Sequence, residues 1–346
     1  MMRTDVVERR RWLTSGEFLD LLGATNLIPG PNSTEMAIHI GYRRAGWRGL
    51  VAAGLCFIAP AALLTFALAW GYVRFGSVPQ ARAILYGVKP VIIAVVIQAI
   101  WNLGKSALKT KILTALAAAC LLGAFLGLNE LVILLAAGAM MTALDSAQRK
   151  PPAVGAFQLT PAVLGALGMH AAAFSPLKLF LVFLKIGAIL YGSGYVLLAF
   201  VRADFVDGLH WITEQQLIDA VAVGQLTPGP VLSTATFIGY VIGGGAGATL
   251  ATLGIFLPSF FFVAASGALI PRIRTSKGAA AFLDGVNVAS LSLMVAVTWN
   301  LGTAALVDAA TVVLSAASAV LLLRWKVNSA WLVLGGAVAS LALHRS

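Results

Sequence analysis

Nine apolar runs, each near the length that crosses a bilayer, set the terms for everything else in this chain. They lie at roughly 49–73, 84–103, 111–127 and 129–144, then at roughly 177–200, 248–270, 283–301, 304–323 and 328–343. A helix needs about 20 mainly apolar residues to span hydrocarbon. Two further apolar segments, 16–42 and 215–241, are interrupted in the middle by Pro-Gly-Pro. Proline ends a helix and disfavours helix at the residue before it. Each segment is therefore expected as two half-helices, joined as a re-entrant hairpin or as one discontinuous span. The fold class expected is an all-α, multi-pass integral membrane protein with about nine to ten transmembrane helices.

Composition excludes the main alternatives. Apolar residues make up 60% of the 346 and charged residues only 11%, whereas a soluble domain carries about 25% charged residues. The net charge is +11, but the Lys and Arg residues cluster between apolar runs. That is the pattern of cytoplasmic loops rather than of a nucleic-acid surface. The chain opens Met1-Met2-Arg3-Thr4-Asp5 without an apolar signal region, so no cleaved signal peptide is expected. Cys56 and Cys120 fall inside expected spans, and two cysteines make neither a disulfide framework nor a zinc site. No metal or cofactor is expected.

The sequence is internally duplicated. At an offset of 199, Trp12 matches Trp211, Thr14 matches Thr213, Asp20 matches Asp219, and Pro29-Gly30-Pro31 matches Pro228-Gly229-Pro230. After one deletion the offset becomes 198. Gly41-Tyr42 then matches Gly239-Tyr240, Pro60 matches Pro258, and Gly87-Val88 matches Gly285-Val286. Trp101-Asn102-Leu103-Gly104 matches Trp299-Asn300-Leu301-Gly302. The expected division is a first membrane repeat over 1–144, a cytoplasmic linker over 145–176 and a second repeat over 177–346. Residues 153–174 of the linker are apolar enough to lie in the interface.

Loop charges bear on how the halves sit. Loop 43–48 carries Arg43, Arg44 and Arg48, while 241–247 carries none. Loop 105–111 carries Lys105, Lys109 and Lys111, while 303–309 carries only Asp308. Residues 1–12 are Arg-rich, while 200–210 sets Arg202 against Asp204 and Asp207; Arg324 and Lys326 correspond to a first-half connection containing Glu130. Opposite bias at matching loops predicts two inverted-topology repeats. Loop 74–82, with Arg74 and Arg82, fits poorly.

Several motifs together resemble the chromate transporter (CHR) family over nearly the whole chain. The first-half signature is Asn26-Leu-Ile-Pro-Gly-Pro-Asn-Ser-Thr-Glu35 with His39-Ile-Gly-Tyr-Arg-Arg-Ala-Gly46. The second-half signature is Gln225-Leu-Thr-Pro-Gly-Pro230, with Phe183-Leu-Lys-Ile-Gly187 and Tyr191-Gly-Ser-Gly-Tyr195. The resemblance implies export of chromate across a bacterial inner membrane and chromate resistance, with sulfate as the natural look-alike. In that family each half opens with a helix bearing a Gly-rich turn. Here 177–200 supplies one, and the 199 offset maps residue 200 onto residue 1. The expectation is a start codon assigned too late or a truncated member.

Chemistry is expected at the Pro-Gly-Pro turns. A helix start offers unpaired N–H groups and the positive end of its dipole, both suited to anions. Asn32, Ser33 and Thr34 follow Pro31, and Ser233 and Thr234 follow Pro230. Packing alone is the competing explanation: the turns then only shape a kink. Lys89, whose repeat partner is Asn287, and Lys185 are charged groups in apolar runs and therefore further substrate candidates. Snorkelling to the interface is the alternative for Lys89. Glu35, His39 and Arg43 share one helix face at i, i+4 and i+8; they suit either a proton relay or a helix-stabilising ion pair. Asn102 and Asn300 are expected as interface anchors, and His170, His210 and His344 as loop residues.

An enzyme is not expected: there is no His-Glu-x-x-His pair, no Gly-x-Ser-x-Gly elbow and no Walker loop. A sulfate or other oxyanion permease, and a membrane-embedded enzyme, are the alternatives to chromate transport. The expected partners are the lipid bilayer and a chromate- or sulfate-like oxyanion. The Gly123-x-x-x-Gly127 and Gly243-x-x-x-Gly247 spacings would allow a homodimer.

Overall fold

A computed structural model of the chain describes residues 2, 4–76, 78–147, 174–191, 194–274, 277–325 and 327–343. Most of the expected linker, His170, Gly192, Ser193, Lys326 and His344 lie outside these residues. The described chain is helical, without strands.

The first half contains α1 (Ser15–Thr25), α2 (Asn32–Phe75), α3 (Pro79–Ala107), α4 (Lys111–Phe125) and α5 (Glu130–Ala147). The second contains α6 (Pro176–Ile189), α7 (Leu197–Val201), α8 (Glu214–Leu226), α9 (Thr234–Arg274), α10 (Lys277–Ala305), α11 (Ala309–Trp325) and α12 (Ser329–Leu343). Five segments are long and apolar enough to cross a membrane: Asn32–Phe75, Ala83–Ala107, Glu130–Ala147, Val231–Ser266 and Gly278–Ala305. Large apolar side chains face outward, among them Leu63 (70% exposed), Phe261 (68%) and Trp331 (71%). In water such a surface would be an aggregation liability. In lipid it is the expected exterior, and the chain is a multi-pass membrane protein.

The run at 177–200 is not one span. Helix α6 ends at Ile189, Leu190 leaves helical geometry at φ −74°, ψ 109°, and the chain resumes as a 3-10 turn (Gly194–Val196) before α7. The run at 49–73 is a helix distinct from the one before it, although the two follow each other almost without a loop. It forms the second limb of α2, which bends at Ala45 (φ −145°, ψ 26°) and Gly46 (φ 55°, ψ −141°). The α9 bend at Gly243 (φ −138°, ψ 24°) and Gly244 (φ 59°, ψ −149°) repeats it 198 residues later. At each bend the limbs fold back so tightly that Gly41 packs on the carbonyl of Gly49, and Gly239 on that of Gly247.

The Pro-Gly-Pro segments are hairpins. Arg43, near the end of α2's first limb, pairs with Glu17 at the start of α1 at 2.8 Å, so the two run antiparallel. At ~1.5 Å per residue each arm is about 16–20 Å long, close to half a bilayer. Thr14 and Thr213 open the two hairpins with the same reciprocal cap, to Glu17 and Gln216 respectively. This satisfies otherwise orphaned helix-start amides. The duplication read in the sequence is thus present in the backbone.

The halves are exchanged through their helices. Gly87 of α3 lies against the carbonyl of Gly336 in α12, and its counterpart Gly285 of α10 lies against the carbonyl of Ala137 in α5. Ser340 donates to the carbonyl of Ala83, and Ser292 to that of Ala117 at 2.9 Å. Each half's α3-type helix is therefore packed by the closing helix pair of the other half. The glycines of the two expected dimer motifs serve contacts inside the chain. Gly123 faces Leu128 and Ile133, Gly127 turns the chain at φ +78°, Gly243 forms the α9 bend, and Gly247 meets Gly239.

Candidate functional site

Three breaks in helical structure come together; the first tip is buried at Pro29, Gly30 and Pro31, whereas Pro228 and Gly229 of the second are exposed. At the first hairpin tip Gly30 has φ +136°, which an L side chain rarely adopts. Its amide donates at 2.7 Å to the carbonyl of Leu190, where α6 breaks off. After Pro31 the helix restarts, and the amides of Thr34 and Glu35 return to the Pro31 carbonyl at 2.9 and 3.1 Å. The amides of Asn32 and Ser33 have no partner within the helix. At the second tip Gly229 has φ +147°. Gly194, on the far side of the α6 break, sits against Val231 and Leu232 just beyond Pro230. The α6 break thus lies between the two tips.

Each tip also abuts the long helix of the opposite half. A Cβ added to Gly30 would strike Glu35 Oε1 and the hydroxyl of Ser259; one added to Gly229 would strike Ala61. Ala61 and Ser259 are repeat partners, each next to an intrahelical proline, Pro60 or Pro258. A proline within a helix removes one backbone donor and leaves a carbonyl without its usual partner. Thr65 donates to Thr227 at 3.2 Å across the halves. The corresponding positions, Val263 and Ile28, are apolar and belong to one buried cluster. The site is therefore built on a repeat but is chemically unequal.

The inequality centres on polar groups. Glu35 is 0% exposed, with neither carboxylate oxygen hydrogen-bonded. The hydroxyls of Thr34, Ser233, Thr234 and Ser259 and Nε2 of His39 are also buried without a partner. A buried polar group left unpaired costs roughly 1–3 kcal/mol. A concentration of such groups around two glycine turns is what a site for a polar ligand requires. A tetrahedral oxyanion has enough lone pairs to take several of these donors together.

The other expected residues fall elsewhere. Arg43 is taken by Glu17, so the Glu35–Arg43 ion pair expected along one helix face is not formed. Asn32 donates its amide to Asn26 at 2.7 Å, and Ser33 is exposed. Lys89 lies beside the far end of the second hairpin, paired with Asp219 at 3.1 Å and donating to Gln215 at 2.7 Å. Tyr72 donates to the same Asp219 carboxylate at 2.9 Å. These groups line a cavity of about 310 Å³. Asn287 is half-buried on α10. Lys185 pairs with Asp204 at 2.6 Å. Asp204 lines a second cavity of about 430 Å³ with Glu130, Arg202, Asp207 and Asn300. Among the described residues no cluster suited to holding a metal ion occurs.

Sequence reasoning missed Ser259, Leu190 and the Thr65–Thr227 bond. Only for Ser259 was a signal available, since it follows a proline already matched between halves.

Comparison with known proteins is consistent across the chain. The family model described as "Chromate transporter" matches residues 1–142 and 177–341. A protein named "Chromate transport protein" from Cupriavidus metallidurans is 31% identical over 346 residues, covering 97% of this chain and 85% of that one. One of the same name from Pseudomonas aeruginosa is 34% identical over 343 residues, covering 94% and 82%. A "Probable chromate transport protein" from Synechococcus elongatus is 27% identical, covering 94% and 84%. No solved structure matches. With a family model spanning both repeats and relatives aligned over most of both chains, this protein belongs to the chromate transporter family.

Proposed function

We propose that the chain carries chromate outward across a bacterial inner membrane, binding it between the two Pro-Gly-Pro tips. The observation that carries this reading is the approach of both glycine turns to the α6 break, with buried, unpartnered hydroxyls at Thr34, Ser233, Thr234 and Ser259 beside them. Helix starts favour anions, and in inverted-repeat transporters broken helices form the substrate site near the midplane. Hairpin arms about half a bilayer long suit tips at that depth. The antiparallel course of equivalent helices supports insertion of the halves in opposite orientation.

The membrane potential favours the outward direction. Each negative charge leaving a negative interior gains about 2.3 kcal/mol per 100 mV, so a bare dianion gains roughly 4.6 kcal/mol. At about 1.4 kcal/mol per tenfold, that supports a gradient somewhat over a thousandfold. Sulfate has the same shape and charge and should compete for the same donors. The test is retention of preloaded chromate in cells with and without this chain. Faster loss with the chain, slowed by excess internal sulfate, is expected; equal retention would refute the reading.

A further inference from the structure

Glu35 is the one buried carboxyl among the described residues with both oxygens unpartnered. It sits directly beneath Gly30 and beside Ser259, at the start of α2. An oxyanion bound at the tip would lie beside this carboxyl, and the three cations among the expected residues are paired with other residues. Arg43 is held by Glu17, Lys89 by Asp219, and Lys185 by Asp204. Tyr191 lies within electrostatic reach from the α6 break, and His39 stands one turn further along the same face of α2. Thr34 and Ser259 contribute neutral hydroxyls. Among the described residues, no cation is paired with Glu35 to neutralise a carboxylate placed beside a dianion.

Two negative species in one water-poor site repel strongly. Either Glu35 is neutral and donates its O–H to the anion, or its carboxylate accepts the hydrogen of a singly protonated anion. Both arrangements have the same composition: one anion and one proton. The second tip offers Ser233 and Thr234 at the positions matching Thr34 and Glu35, so this arrangement occurs once per chain.

We propose that Glu35 takes up one proton with each oxyanion, so that chromate and a proton cross together. The inference rests on the transport reading above and sharpens it. The proton is bound with the anion on one side and released with it on the other. One net negative charge then moves per chromate, rather than two.

Reversal potentials in proteoliposomes of the purified full chain decide the matter, because they do not depend on transport rate. With one net charge, a tenfold chromate gradient is balanced by about 59 mV; with two, by about 30 mV. For the wild type we expect the larger value, and a further shift of about 59 mV for each unit of pH gradient. Glu35→Gln should move the balance to the smaller value and remove the pH shift, although its flux is lower. Protonation of free chromate affects both proteins alike and cancels in the comparison. If Glu35→Gln flux is too small to read, Glu35→Thr, which installs the hydroxyl found in the second half, should give the same result. A wild type already at the smaller value and indifferent to pH would overturn the proposal. Variants that keep the wild-type balance would do so too, by moving the proton to another group. Absence of any wild-type chromate flux would instead remove the transport reading, and this inference with it.

Discussion

The hydroxyl of Tyr86, near the start of α3, donates at 2.5 Å to the carboxylate of Asp308, just past the end of α10. At the opposite ends of the same helices Lys109 pairs with Asp284 at 3.1 Å. Tyr86 and Asp284 are repeat partners, so both ends are pinned at equivalent positions. Equivalent helices of the two halves therefore run antiparallel. This supports the proposed opposed insertion of the halves, in which matching loops emerge on opposite sides. In a variant lacking Cys56 and Cys120, a single cysteine in 241–247 should react with an impermeant reagent from the periplasm, and one in 43–48 should not. Equal labelling of the two loops from one side would contradict opposed insertion.

The glycine tips differ in what surrounds them. Both substitutions would meet an unfavourable φ; Gly30→Val would also meet a carboxyl and a hydroxyl, whereas Gly229→Val would meet mainly the methyl of Ala61. Both should abolish chromate transport with membrane insertion retained. Gly30→Val should also lower the thermal midpoint in detergent more than Gly229→Val does.

Hydroxyl donors near the tips should matter by smaller steps. Ser259→Ala, or Ser33→Ala combined with Thr34→Val, should weaken chromate binding by roughly 1–3 kcal/mol. Titration of purified protein with chromate measures this directly. Unchanged affinity in both variants would move the anion away from the first tip.

Lys89 and Asp219 join the halves through a pair that is 17% and 4% exposed. Removing one partner of a buried pair leaves a charge uncompensated and costs about 3–5 kcal/mol, whereas replacing both by apolar residues is often neutral. Lys89→Met alone should therefore destabilise the protein. Lys89→Met with Asp219→Leu should recover most of the thermal stability. If the double variant regains stability but not transport, Lys89 or Asp219 has a role beyond joining the halves; recovery of both makes the pair structural.

Much of this was legible in the sequence, for identifiable reasons. Apolar runs report burial in lipid whatever the tertiary arrangement, and Pro-Gly-Pro breaks a helix through local sterics alone. The duplication was visible because glycines and prolines at Gly30, Gly41, Pro60 and Gly87 answer to backbone demands that both halves share. Long-range contacts were not legible. Nothing local tells that Arg43 reaches Glu17 across the hairpin rather than Glu35 on its own helix, or that Lys89 meets Asp219. The break after Ile189 falls at the Gly-rich stretch Tyr191–Tyr195, a local turn signal within the run read as 177–200; what no local signal told is that the Leu190 carbonyl there receives the amide of Gly30.

The central claim is that chromate passes between the two Pro-Gly-Pro tips. It is tested most directly by chromate flux in proteoliposomes of purified wild type beside a Gly30→Val/Gly229→Val variant, under a potassium–valinomycin potential with no pH gradient. The account predicts saturable wild-type flux that reverses when the imposed potential changes sign, and none above empty liposomes from the variant although it is fully inserted. Flux from the variant equal to wild type, or wild-type flux indifferent to the sign of the potential, would contradict it.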